Sequence, residues 1–533
     1  MGSKHAFRNL GFAALGILFF VAYSYLPFVS PAGIFNSPDE MANAYFARTF
    51  VQRGTMTVDE PLEVLARGFI HPRSVAVRGS TLVPESFHGL PVLYGAISKI
   101  IGLGALPFLT AFIAVVTLFT WRRTIAVPFG ERAGTLAMLL LGITPAWWYY
   151  ANRGLYHNEL FVSFLIFAAY FFIAQPIRMR SVPWMNAFIA GIFLGLAWWV
   201  RTSEIFWTIT LAAALIITFR RSLTWQTVLA FVIGALIAFT PALIINHQLY
   251  AQALGTGYVL PVSNISTSVP VPVSVIHRIL TLIAPFGIHP RTILHNVWNF
   301  AVALPWWMSY VTALALAWFG LRLLRGATSR NETVFVLLFL GVTSWLAVVY
   351  GSWIVHDNPD PNAVTFGISY ARYWLPLSVL ASGIMGVAAA KLPDKKIMLI
   401  LPGAVALLMF ALSFQSVFFT RGDGLTDIAT TLHGYAIVKT DVMTDTPSDA
   451  IIVVDRSDKV FFPERRVITP LRNGATYDAL GALAGHAPLF YYGITLTPID
   501  FEHENRDELA SRGLVLKSTA IYGNESLYQL VKP

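Results

Sequence analysis

The sequence predicts a polytopic α-helical membrane protein with a small α/β domain after its last span, and three observations predict it. The chain has 533 residues, 56% of them hydrophobic and only 12% charged. A soluble globular chain is nearer ~25% charged, so much of this one cannot face water. Apolar runs of roughly 18 to 22 residues recur along it, the length needed to cross the hydrocarbon core of a bilayer. After Phe419 the charge density rises. Short apolar runs (Ala450–Val454, Leu489–Leu496, Leu527–Val531) there alternate with polar helical stretches such as Asp500–Arg512, the pattern of a soluble α/β domain.

The formal net charge of +9 is distributed as short basic clusters between apolar runs. These are Lys4 with Arg8, Arg122–Arg123, Arg178 with Arg180, Arg220–Arg221, Arg322 with Arg325 and Arg330, and Lys391 with Lys395–Lys396. Such clusters punctuate membrane topology and are not a nucleic-acid surface, so no nucleic-acid partner is expected. The chain has no cysteine, which excludes disulfides, thiolate metal sites and cysteine nucleophiles. The first apolar run is long and no small-residue cleavage pattern closes it, so it reads as a retained span with the N-terminus in the cytoplasm. With the basic clusters inside, about eleven crossings thread the chain: about 9–28, 104–121 and 133–150, a fourth from Leu160 back to Arg178, a fifth out towards Arg201, a sixth ending at Arg220–Arg221, and then about 226–244, 303–323, 333–353, 371–390 and 397–418. The expected division is a transmembrane domain over 1–420, with a first outer loop at 29–103, and an extracytoplasmic α/β domain over 421–533. The location is a cell membrane, plasma or inner. No internal repeat is visible.

The first outer loop opens with Phe35-Asn36-Ser37-Pro38-Asp39-Glu40. Ser37 suits a helix N-cap, Pro38 the first helical position, and Glu40 completes a capping box. Ala42, Phe46 and Phe50 then form one apolar stripe that Gly54 stops. Asp39 faces a different direction from Glu40 and is free to enter a site. A second acid, Glu159, stands in Tyr156-His157-Asn158-Glu159 at the mouth of a span, where an unpaired carboxylate is costly and marks function unless water or Arg153 satisfies it. A third feature is the outer segment 245–302, with Arg278, Arg291, His247, His277, His289 and His295 and no Asp or Glu. An acid-free cationic surface beside a bilayer suits an anionic lipid phosphate. His289 and His295 have no carboxylate near them in sequence to complete a metal site. Last, Ser369-Tyr370-Ala371-Arg372-Tyr373 opens the tenth span, with Arg372 placed to snorkel or to clamp a phosphate.

These residues occur in an order that resembles a known family. A first span leads to an outer-loop Asp-Glu on a short helix, then to His88-Gly89-Leu90-Pro91-Val92-Leu93-Tyr94. A span ending in basic residues follows, with Phe129-Gly130 close behind, then an outer acid. Near the final spans comes an Arg-Tyr-x-x-Pro element (Arg372, Tyr373, Pro376). The chain thus resembles the GT-C glycosyltransferases, in the branch of protein O-mannosyltransferases and lipid A aminoarabinose transferases, over residues 1 to about 420. The outer C-terminal domain is similar to that of the aminoarabinose transferases in architecture.

The resemblance implies transfer of a sugar from a polyprenyl-phosphate donor on the outer face, with inversion, to a lipid, protein or glycan acceptor. It implies Asp39 as general base with Glu40 its companion, Glu159 as the second-loop acid (usually Asp), and Arg372 with Tyr373 at the donor phosphate. His88 falls where members carry His or a nearby Lys, and that Lys is absent here. His157, Arg278 and Arg291 complete the expected substrate-binding set. No cofactor is required by this set, and a divalent metal remains an open addition. The rival readings are a transporter or flippase of lipid-linked saccharides and a glycan ligase or polymerase. Transporters tend to show repeats and broken helices at the midplane, whereas the polar residues here gather at the outer rim.

Overall fold

The computed structural model describes residues 2–173, 183–219, 223–259, 284–354, 363–393, 396–471 and 474–533. Seven described helices are long and apolar enough to cross a membrane: Leu103–Phe129, Pro183–Val200, Trp225–Tyr250, Trp306–Leu324, Arg330–Val349, Ser369–Ala390 and Pro402–Phe419. An eighth forms if Pro145–Asn152 and His157–Ile173, bent by 118° at their junction, make one span. Asn9–Tyr23 and Thr202–Thr218 are shorter apolar helices. The described helices thus give seven or eight spans by length and composition where the sequence predicts about eleven, the expected third and fourth crossings meeting in the one bent pair, and the chain is a multi-pass membrane protein.

Two compact units are formed. The span unit comprises Met1–Phe28, Pro107–Pro241 and Pro270–Ile428, and the loop unit comprises Val29–Leu106, Ala242–Val269 and Ala429–Pro533.

In the span unit the helices are apolar on all sides, so their association depends on close packing and buried polar contacts. Gly191 and Gly234 let Pro183–Val200 and the helix beginning at Trp225 touch: a Cβ on Gly191 would run into the Phe231 carbonyl, and one on Gly234 into that of Phe188. Indole N–H groups add specific ties, from Trp121 to Ser382 Oγ and from Trp307 to Ser413 Oγ, each at 3.1 Å. Asn152 is a hub. Its amide donates to the Ala22 carbonyl (3.0 Å), and its carbonyl accepts from Leu26 N–H (3.1 Å).

In the loop unit, Pro38–Arg53 is a helix with Pro38 at its first turn, and Gly54 at φ 71° ends it, its N–H bonded to the Phe50 carbonyl at 2.9 Å. Ala42 and Phe46 are buried along the stripe that the spacing predicts. A helix at Gly89–Ile101 packs against it. Between them lies a small antiparallel sheet that the sequence reading did not foresee, β1 (Val58–Asp59), β2 (Val75–Arg78) and β3 (Thr81–Pro84), in the order β1-β3-β2.

The C-terminal segment is the expected α/β fold. Its strands are β4 (Ile451–Val454), β5 (Arg466–Ile468), β6 (Leu489–Ile494), β7 (Val515–Tyr522) and β8 (Glu525–Val531), in the order β5-β4-β6-β8-β7. β4 runs parallel to both β5 and β6, and β8 antiparallel to β6 and β7. Ile451, Val453, Ile468, Leu480, Tyr491 and Leu530 pack in its core, and Ala66 and Ile70 of the first loop complete it.

Candidate active site

Asp39 lies in the first turn of its helix and is half-buried. The Ser37 cap forms, but its hydroxyl accepts from the Asp39 N–H (3.2 Å), one residue earlier than the capping-box pattern places it. Glu40 turns inward and is buried. The complete reciprocal box occurs instead at Ser329–Glu332. Ser74 Oγ donates to Asp39 Oδ1 at 2.6 Å. Glu85 shares the neighbourhood: burial first, and the Asp39 carboxylate second among the raising causes, push its carboxyl above the usual range. Glu85 escaped the sequence reading although it stands three residues before His88. His88 is buried and its Nε2–H donates to Asn246 Oδ1 at 2.8 Å. Burial pushes this imidazole down to about 4, so it is neutral at pH 7.

In the span unit, Glu159 does not stand in the short outer loop where the sequence reading puts it. Only residues 153–156 separate the two helices, and Glu159 falls in the first turn of His157–Ile173, fully buried. Neither of its carboxyl oxygens has a hydrogen-bond partner among the described residues. Arg153 does not satisfy it: that guanidinium donates to the hydroxyls of Tyr149 (3.2 Å) and Tyr156 (2.9 Å). A buried carboxyl without partners is costly, so stability does not account for its place here. His157 is buried beside it in sequence.

Arg372 and Tyr373 are found together with a cation that sequence reasoning used only as a topology mark, Arg201. Both guanidiniums line a small cavity of about 10 Å³, room for one water, with Asn158, Phe161, Val162, Glu204, Leu346, Tyr373 and Pro376. Arg201 bonds Glu204 Oε1 through Nε (3.1 Å) and Nη2 (2.8 Å), Asn158 Oδ1 (3.2 Å) and the Tyr350 hydroxyl (3.3 Å). Tyr350 also donates to Glu204, and Trp207 Nε1–H reaches the other Glu204 oxygen at 2.6 Å. The Arg372 guanidinium sits 4.4 Å from the Tyr156 ring centre and 5.5 Å from that of Tyr373. Aromatic faces hold a cation without neutralising it. Arg201 escaped notice because its partners lie 3 to 149 residues away.

Arg291 is exposed on the helix Pro290–Asn296 and has no bond among the described residues. Arg278 and His277 lie outside the described residues. Among the described residues, no group of three or more His, Asp or Glu is placed to hold a metal.

No protein-family model and no curated protein matches the chain. Solved structures do. ArnT from Cupriavidus metallidurans, bound to undecaprenyl phosphate, superimposes with a TM-score of 0.60 at 11% identity, covering 98% of this chain and 97% of that one. The Archaeoglobus fulgidus oligosaccharyltransferase in its apo form gives 0.53 at 11% identity, over 93% and 70%. The oligosaccharyltransferase AglB from the same organism, in complex with an inhibitory peptide and a dolichol-phosphate, gives 0.50 at 10%, over 98% and 74%. The fold is thus the GT-C fold, with the C-terminal sheet region included.

Proposed function

We propose that this chain is a membrane glycosyltransferase that moves a sugar from a polyprenyl-phosphate donor to an acceptor hydroxyl on the extracytoplasmic face, with inversion. The observation that carries this reading is the likeness along nearly the whole chain to ArnT, a protein solved with undecaprenyl phosphate. The first-loop carboxylate Asp39, held by Ser74, supplies the group the chemistry needs. An acceptor hydroxyl is far too weak an acid to ionise at pH 7. Asp39 takes its proton as the new bond to the anomeric carbon forms, a contribution of about 10²–10⁴-fold. The bond from that carbon to the lipid phosphate breaks, and the phosphate keeps the electron pair. It leaves readily if cations meet it, the role assigned to Arg372 beside Tyr373, with Arg201, Arg291 and Arg278 as further cations. Glu40 and Glu159 are the supporting acids, and His88 and His157 contribute as hydrogen-bonding groups. Hexosyl and pentosyl donors both fit this scheme.

The test is purified protein in detergent with a panel of radiolabelled polyprenyl-phosphate sugars. Release of lipid phosphate from at least one donor, with the sugar transferred or hydrolysed, supports the reading. Failure to turn over any donor, with movement of intact lipid-linked sugar across proteoliposomes, would replace the enzyme with a transporter.

A further inference from the structure

We infer that the C-terminal α/β domain is the positioning element for the Asp39 carboxylate, acting through Asp458, Arg73 and Ser74. The inference depends on the reading of Asp39 as the base.

The chain of contacts begins at Ser74, whose hydroxyl donates to Asp39 Oδ1 at 2.6 Å. Ser74 has φ 64°, a left-handed backbone that non-glycine residues adopt only when their surroundings impose it. The imposing contacts flank it. On one side, the Arg73 N–H donates to Asp458 Oδ2 (2.8 Å), and the Arg73 guanidinium donates to Asp458 Oδ1 through Nε (3.1 Å) and Nη2 (2.6 Å). That guanidinium also reaches the Arg456 carbonyl at 2.8 Å. Asp458 is fully buried, so the pair is shielded at the end that does the holding. On the other side, the Glu85 N–H donates to the Ser74 carbonyl at 3.3 Å.

The same short stretch of the C-terminal domain grips the helix that bears Asp39. Lys459 Nζ donates to the Asn36 carbonyl at 2.7 Å, one residue before the Ser37 cap. The Phe462 ring packs edge-on against Tyr45, centroids 4.7 Å apart. Residues 456–462 therefore fix both the hydroxyl that bonds Asp39 and the helix that presents it. Their place in the sheet is informative. They leave β4 at the carboxyl ends of the parallel strands, with β5 on one side and β6 on the other. Open α/β sheets receive their ligands at such a switch point. In this domain Arg73 of the chain's own first loop reaches that loop. Farther along, Arg466 Nε bonds both oxygens of Glu60 at 2.9 Å, a second tie that bears on the loop without touching Ser74.

The experiment measures kcat and donor KM for the full chain in detergent, with a radiolabelled polyprenyl-phosphate sugar, for wild type, Asp39→Asn, Ser74→Gly, Ser74→Asn and Asp458→Asn. Misplacement of a reacting group by about 1 Å costs on the order of 10²-fold. Ser74→Gly relieves the backbone and removes the hydroxymethyl side chain, the hydroxyl with it. It is expected to melt no lower than wild type, to lose roughly 10- to 100-fold in kcat, and to keep its donor KM. Ser74→Asn supplies a donor that tolerates the left-handed backbone and is expected to restore most of the rate. Asp458→Asn is expected to lower kcat about 10-fold, again without change in KM. Wild-type turnover in Ser74→Gly or Asp458→Asn, with Asp39→Asn inactive, would overturn the positioning role and leave the base intact. Failure of Ser74→Asn to recover any of the loss would also overturn it. Wild-type turnover in Asp39→Asn would overturn the base, and the positioning role with it.

Discussion

The two units hold the charged groups of the proposed site differently. In the loop unit the acids Asp39 and Glu85 are half-buried, and Asp39 is met by the hydroxyl of Ser74. In the span unit the polar centre is cationic and closed. Arg201 is enclosed by Asn158, Glu204 and Tyr350, and Arg372 lies over the Tyr156 ring beside a cavity for a single water. The contrast suits the proposed roles of these charges. A carboxylate that is to accept a proton must meet the molecule that supplies it, which a partly open position allows. A cation that only opposes negative charge acts more strongly where water is excluded, and can be fixed deep.

This contrast can be broken from the cationic side first. Arg201→Met leaves Glu204 buried without its guanidinium, which costs roughly 3–5 kcal/mol and should appear as a large fall in melting temperature in detergent. Adding Glu204→Gln should recover most of that loss; no recovery would mean that the two do not act as a pair.

In the loop unit the next effect is a pH dependence. Burial pushes the Glu63 carboxyl from 4.5 to about 7, opposed by the Gly68 N–H that donates to Oε2 at 2.9 Å. The folded unit therefore holds this proton more tightly than the unfolded chain does. Glu63 contributes its full stability below pH ~4.5, loses it progressively as pH rises to about 7, and loses no more above that. The span corresponds to about 3 kcal/mol. Melting curves between pH 4.5 and 8 should show this decline in wild type and a flatter profile in Glu63→Gln. Equal slopes would remove Glu63 as the cause.

The smallest effect is at the helix cap. Ser37→Ala should cost about 1 kcal/mol and lower the melting temperature slightly, with donor KM unchanged.

How much of this was legible in the sequence depends on how local each feature is. The Asp39 helix was readable to its last residue, because Ser37, Pro38 and Gly54 act within one turn of its ends. The long spans were readable because apolar length is itself the signal. β4, β6 and β8 were visible as apolar runs. β5, three residues long, and β7, whose Lys517, Ser518 and Thr519 interrupt the pattern, were not. The cluster around Arg201 gathers residues 158, 201, 204, 350 and 372, and no local pattern joins them. The outer-loop placement of Glu159 failed for a related reason. Asn158 bonds the Arg372 carbonyl at 3.4 Å, a partner 214 residues away, and the helix beginning at His157 takes Glu159 inside.

The most direct test of the central claim is turnover of a radiolabelled polyprenyl-phosphate sugar by wild type and Asp39→Asn at matched folded fraction, with donor affinity measured alongside. Turnover by Asp39→Asn is expected to fall about 10²–10⁴-fold with donor affinity unchanged. Turnover equal to wild type, or a loss that only follows the unfolded fraction, would contradict it.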